Sequence, residues 1–168
     1  MPLEKINNAL KRAHASGLTN ILCLRGDPPA GADQWSAIEG GFSHATDLVS
    51  HVRNVHGSYF GIAVAGYPEG HPDHLDVMLD LKYLKEKVDA GAEIIVTQLF
   101  YDVDGFLDFV KKAREMGINV PILPGIMPIQ NYAAWVRMTT FCKTRIPQEI
   151  IDALEPIKVC LSLLALLF

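Results

Sequence analysis

The sequence predicts an α/β fold built around a parallel sheet, and three observations carry that prediction. A unit of amphipathic helix, glycine and short apolar run recurs along the chain. The apolar runs are continuous rather than alternating, the pattern of strands buried on both faces of a parallel sheet. Polar, glycine and proline residues also crowd the segments after these runs, whereas the segments before them look like plain connections.

The first unit places Leu3, Ile6, Leu10 and Ala13 on one helical face, Gly17 where a C-terminal cap belongs, and Asn20 to Leu24 as a buried strand. The second has Leu48, Val49, Val52 and Val55, then Gly57, then a strand from Gly61 to Ala65. In the third, Leu81, Leu84 and Val88 make the face, Gly91 ends it, and Ile94 to Val96 is the strand. A fourth uses Phe106, Phe109, Val110 and Ala113, then Gly117, then Val120 to Leu123. Asn131 can then cap a helix through about Phe141, and Pro147 in a first-turn position opens another from Gln148 to Ile157.

Composition narrows the function classes. The 168 residues make one domain, 49% hydrophobic and 20% charged, an ordinary globular balance. A net charge of −4 with no Lys/Arg block lacks the electrostatic footprint nucleic acid requires. Cys23, Cys142 and Cys160 are odd in number and have no CxxC spacing, which argues against a disulfide framework or a structural zinc and suits a reducing, cytoplasmic setting. The opening MPLEKINNALKRAH has no signal-peptide character, and the apolar run Leu161 to Phe168 is far short of the roughly 20 residues of a membrane span.

Parallel α/β folds bind ligands at the carboxyl ends of their strands. Those ends carry Arg25-Gly26-Asp27, the stretch Gly66 to Pro72, Thr97-Gln98 with Tyr101, and Pro124 to Pro128. Arg25-Gly26-Asp27 could be read as an adhesion signal, but it follows an apolar run directly and leads into Pro28-Pro29. Asp27 before two prolines is by default a turn former. Asp80 and Lys87 are seven apart, so they share a helix face and can turn toward one ligand, or form a solvated face. Gln98 interrupts an apolar strand, where an amide is costly unless partnered. His71 and His74 are spaced HPDH, yet no cysteine or carboxylate cluster completes a metal site, and none is expected. Trp135 falls on a helical face suited to core packing, Trp35 lies in a loop, and His14, His51 and His56 read as surface residues.

Taken in order, LRGDPP, the loop ending in Gly40-Gly41, AVAGYPEGHPD, DLKYLKEKVDAGAEIIVTQLFYD and PILPGIMPIQNY resemble the catalytic domain of methylenetetrahydrofolate reductase. The resemblance runs from about Leu10 to Lys158. It implies a (β/α)8 TIM barrel, here partial with about four parallel strands, that holds FAD. It divides the chain into a partial catalytic barrel, residues 1–158, and a divergent apolar tail, residues 159–168.

By that resemblance Arg25, Gly26 and Asp27 contact the flavin, with the Asp27 carboxylate beside the isoalloxazine and near the folate. His44 and Ala45 match two further cofactor positions, His44 standing where relatives carry tyrosine. Ala65, His71, Asp80 and Lys87 match the remaining FAD positions, and Gln98 matches a folate-contacting glutamine. The implied reaction is reduction of 5,10-methylenetetrahydrofolate to 5-methyltetrahydrofolate by NAD(P)H through FAD, in full-length relatives that form homo-oligomers. The family's acid is a glutamate in a Glu-Phe-Phe-Pro-Pro type motif, which does not occur in this sequence. Two expectations therefore stand side by side: a portion of a flavin-dependent reductase, and a catalytically inactive truncated product with partial or no flavin binding.

Overall fold

The structure is a computed structural model that describes residues 1–26, 38–71 and 76–158. Asp27, Trp35, His74, Cys160 and the apolar tail lie outside the described residues. The elements run α1 (Leu3–Ala15), β1 (Asn20–Cys23), α2 (Ala45–His56), β2 (Gly61–Gly66), α3 (Val77–Asp89), β3 (Ile94–Leu99), α4 (Val103–Glu115), β4 (Ile122–Gly125), α5 (Tyr132–Phe141) and α6 (Gln148–Leu154), with a 3₁₀ turn at Glu155–Ile157. The four strands are parallel and lie in chain order, β1-β2-β3-β4. A parallel pair needs a crossover, and α2, α3 and α4 supply the three crossovers. Strand order that never reverses is the order of consecutive barrel units, so the α/β partial barrel expected from sequence is the fold observed. No helix among the described residues is long and apolar enough to cross a membrane.

The core lies between the helices and one face of the sheet. Cys23, Ile62, Val64 and Ile95 point into it and meet Val49, Val52, Leu81, Leu84, Phe109 and Ala113 from the helices, all essentially inaccessible to water. Burial alternates along β2, so the expectation of strands buried on both faces is corrected. Leu22 and Leu123 are each about half exposed, 50% and 49%. They register with Ala63 and Val96 on the face away from the helices. These residues are apolar because that face is the inward side of a barrel, and four strands alone do not enclose it.

Three smaller differences have local causes. The fourth strand begins at Ile122 rather than Val120, because Pro121 has no N–H for the ladder and contributes only its carbonyl, to Ile95 N–H at 2.9 Å. Pro147 is the N-cap of α6 rather than inside its first turn, and the α-helix ends at Leu154, giving way to a 3₁₀ turn containing Pro156. His51 and His56 are half-buried rather than on the surface: His51 bonds Asn7 Oδ1 at 2.6 Å and the His56 ring meets Phe60 edge-on. Trp135 is buried as expected.

Arginines tie the helices to the starts of the strands. Arg53 of α2 donates from Nε and Nη2 to the Gly91 carbonyl at 3.0 and 2.7 Å, and from Nη1 to the carbonyls of Phe60 and Gly57 at 2.7 and 3.2 Å. It also pairs with Glu93 at 2.9 Å, whose carboxylate accepts the Ile62 N–H. Arg114 repeats the device in α4, donating to the carbonyls of Ile118 and Val120. Replacing Arg53 with Met strands several carbonyls and should lower unfolding stability by about 2–4 kcal/mol in urea titrations. Glu93→Gln, which loses only an exposed ion pair, should cost less than about 1 kcal/mol. Equal losses would show that the ion pair, not the carbonyl bonds, carries the tie.

Candidate functional site

The segments that follow β1 and β2 converge with α2 and α3 on one cleft of about 510 Å³. Its walls are Arg25 after β1, His44 to Asp47 at the start of α2, Ala65 to Tyr67 and His71 after β2, and Asp80, Tyr83, Glu86 and Lys87 on α3. Cys23, Leu84 and Phe109 close it toward the core. The cleft thus brings together six residues named from sequence: Arg25, His44, Ala45, Ala65, His71 and the pair partner Asp80, with Lys87 as a seventh. Asp27 lies outside the described residues. Gly26 adopts φ +85°, a conformation that disfavours any side chain, which accounts for glycine at the end of this turn.

Local sequence sets each wall. Asp47 Oδ2 accepts the N–H groups of His44 at 2.8 Å and Ser43 at 3.1 Å, which stops the incoming chain and starts α2 at Ala45 beside the cleft. The early N–H groups of such a helix and its dipole favour an anion. Asp76 caps α3 by accepting the N–H groups of Met78 and Leu79 at 3.0 and 3.1 Å. That start fixes the helical phase, so Asp80, Tyr83 and Lys87 face the cleft while Leu81 and Leu84 enter the core.

Asp80 and Lys87 are not a solvated face. Asp80 is buried and accepts the His71 backbone N–H at 2.5 Å, drawing the loop after β2 onto α3. Lys87 reaches across to the Ala65 carbonyl at 2.5 Å. Burial lowers the Lys87 ammonium pKa to about 8, against a smaller opposing pull from Asp80. Burial raises the Cys23 thiol to about 11, which keeps it an inert neutral group on the cleft floor. The His71 ring meets Tyr67 edge-on, centroids 4.7 Å apart.

Gln98 is placed differently from the others. It lines a small neighbouring cavity together with Tyr67, which borders both spaces. Its Oε1 accepts the Leu99 N–H at 2.9 Å, so the amide in the strand has a partner. Thr97 beside it accepts the Gly125 N–H at 2.9 Å, and any side chain at Gly125 would strike the Thr97 carbonyl at 2.3 Å. The β3–β4 register shifts here, re-aiming the end of β3. No group of three or more potential metal-binding side chains occurs among the described residues.

Sequence reasoning missed Thr46, Tyr67, Tyr83 and Glu86. A signal existed for Tyr83, which is three residues from Asp80 and four from Lys87, hence on the same helical face. An anion bound in the cleft would hold Lys87 protonated. Since the group of pKa about 8 is mostly protonated at pH 7 and mostly neutral at pH 9, affinity for an anionic ligand should be nearly full at pH 7, about half at pH 8 and about tenfold lower at pH 9. Lys87→Met should weaken binding at pH 7 and flatten this profile in equilibrium titrations; an unchanged slope would exclude Lys87 as the group responsible.

Comparison with known proteins gives one consistent answer. The family described as methylenetetrahydrofolate reductase matches residues 1–159. The chain is 57% identical over 167 residues to methylenetetrahydrofolate reductase (NADH) 1 of Arabidopsis thaliana, an alignment covering 94% of this chain and 28% of that protein. It is 50% identical over 160 residues to methylenetetrahydrofolate reductase 2 of Saccharomyces cerevisiae, covering 94% and 27%. A probable methylenetetrahydrofolate reductase (NADPH) of Caenorhabditis elegans is 46% identical over 149 residues, covering 89% and 22%. The chain thus spans about a quarter of the length of these relatives. Together with four parallel strands in chain order joined by helical crossovers, these matches establish that the chain belongs to the methylenetetrahydrofolate reductase family.

Proposed function

We propose that this chain carries the flavin-binding part of a reductase that converts 5,10-methylenetetrahydrofolate to 5-methyltetrahydrofolate with NAD(P)H. The observation that supports this best is the cleft itself, where the donors of Arg25, His71, Lys87 and the start of α2 border one space, with the carboxylates of Asp47, Asp80 and Glu86 also on its walls. That donor set suits the pyrophosphate of FAD. FAD, when bound, supplies hydride transfer from the nicotinamide to the folate.

The residues of the chain bind and orient. Lys87 and Arg25 balance phosphate charge, and Ala45 offers backbone at the helix start. Asp80 holds the His71 loop against α3, and Ala65, lacking a long side chain, leaves room for a flat ring beside β2. The Asp27 carboxylate favours a cationic iminium on the folate electrostatically. Because Leu99 occupies Gln98 Oε1, the Gln98 NH2 group is the one offered to the pterin. The setting we propose is cytoplasmic, with homo-oligomeric full-length relatives.

The decisive measurement is flavin retention. The purified chain mixed with FAD and desalted should stay yellow and bleach on addition of NAD(P)H; colourless protein would support the inactive-product reading instead. In a full-length relative, Asp27→Ala should leave flavin bound and slow folate reduction at least about tenfold more than flavin reduction by NAD(P)H. Equal slowing of the two half-reactions would refute the role given to that carboxylate.

A further inference from the structure

Glu69 belongs to the loop after β2 but bonds to a turn 76 residues away. Its Oε2 accepts the Arg145 backbone N–H at 2.8 Å. The Arg145 guanidinium in turn pairs with Asp102, whose Oδ1 caps α4 by accepting the Gly105 N–H at 2.9 Å. One short turn between α5 and α6 therefore holds the loops that leave both β2 and β3. That turn carries Lys143 at φ +53°, a strained conformation that persists only where the surroundings impose it.

The other oxygen, Glu69 Oε1, is buried without a hydrogen-bond partner among the described residues, and so is Thr144 Oγ1. Both residues line the same small cavity as Tyr67 and Gln98. A half-buried carboxylate with one inaccessible oxygen, directed at a remote backbone N–H, is costly unless the connection it makes is needed. Burial also raises the Glu69 carboxyl pKa, with the Arg145 N–H pulling it back.

We propose that Glu69 is a positioning residue: its carboxylate clips the loop after β2 to the Arg145 turn and thereby fixes Tyr67 and His71 of the flavin cleft relative to Gln98. Toward the flavin the clip acts through geometry rather than contact, since Glu69 lines the small cavity and not the cleft. Its effect on flavin rests on the function proposed above; its effect on the loop does not.

The test compares Glu69→Gln, which keeps an acceptor for the Arg145 N–H, with Glu69→Leu, which keeps bulk and removes it. In hydrogen-exchange measurements on the chain, Glu69→Leu should speed exchange of the Arg145 amide at least about tenfold, and Glu69→Gln should restore protection to within about threefold. FAD titrations should show Glu69→Leu weakening affinity about five- to tenfold with an altered circular dichroism band of the bound flavin, again rescued by Glu69→Gln. Unchanged exchange in Glu69→Leu, or equal loss in both variants, overturns the clip. Faster exchange in Glu69→Leu restored in Glu69→Gln, in chains that never retain FAD, would leave the clip standing and overturn the flavin reading alone. Altered exchange in Glu69→Leu with unaltered flavin affinity and dichroism would remove the positioning role.

Discussion

The carbonyl groups left without ladder partners where helices end and strands begin are the constraint on which this structure turns. Each βα crossover must reverse the chain, and at each reversal backbone oxygens lie beneath the core with no ladder partner. Arg53 answers this with one guanidinium, bonding the carbonyls of Gly57, Phe60 and Gly91 and so joining α2, the start of β2 and the turn into β3. Arg114 does the same for the turn into β4. With the lower end of the sheet closed by these fixed charges, the strands keep their register.

At the upper end the connections run between segments rather than within them. Asp80 draws down the His71 backbone, Lys87 caps the Ala65 carbonyl, Thr97 holds Gly125, and Tyr101 donates to the Met127 carbonyl at 3.0 Å. Each joins one strand's exit to a neighbouring helix or strand, so the cleft walls are set mutually. Asp80 and Lys87 therefore have two roles. They fix the loop after β2, and they place one carboxylate and one low-pKa ammonium beside the space a ligand would fill. A site whose ligand groups also hold its walls is preorganised, which lowers the ordering cost of binding.

Much of this was legible in the chain itself. Period-3.6 apolar faces and glycines after them located all four helix–strand units, because those patterns follow from the geometry of single elements. Arg25, His44, Ala45, Ala65, His71, Asp80 and Lys87, named from motif order, all line one cleft, whereas Gln98 lines the cavity beside it. Tyr67 and Tyr83 were hidden because an aromatic residue in a loop or on a helix has no signature distinguishing ligand wall from packing. Glu69 was hidden for a stronger reason: its partner is a backbone N–H far along the chain, and backbone partners leave no trace in side-chain pattern.

The sequence alone determined the class of fold, the order of its units, the end of the sheet that bears the cleft and the family the chain resembles. All of these rest on local periodicity and on ordered short motifs, which survive without knowledge of distant contacts. Only the tertiary structure decided that one face of the sheet is half exposed, that buried Asp80 and half-buried Lys87 are bonded to the loop and strand opposite them, and that Gln98 stands apart from the main cleft. Those outcomes depend on register and on which segments meet across the sheet. A shift of one residue would exchange the faces of a whole strand, and that choice is made by packing.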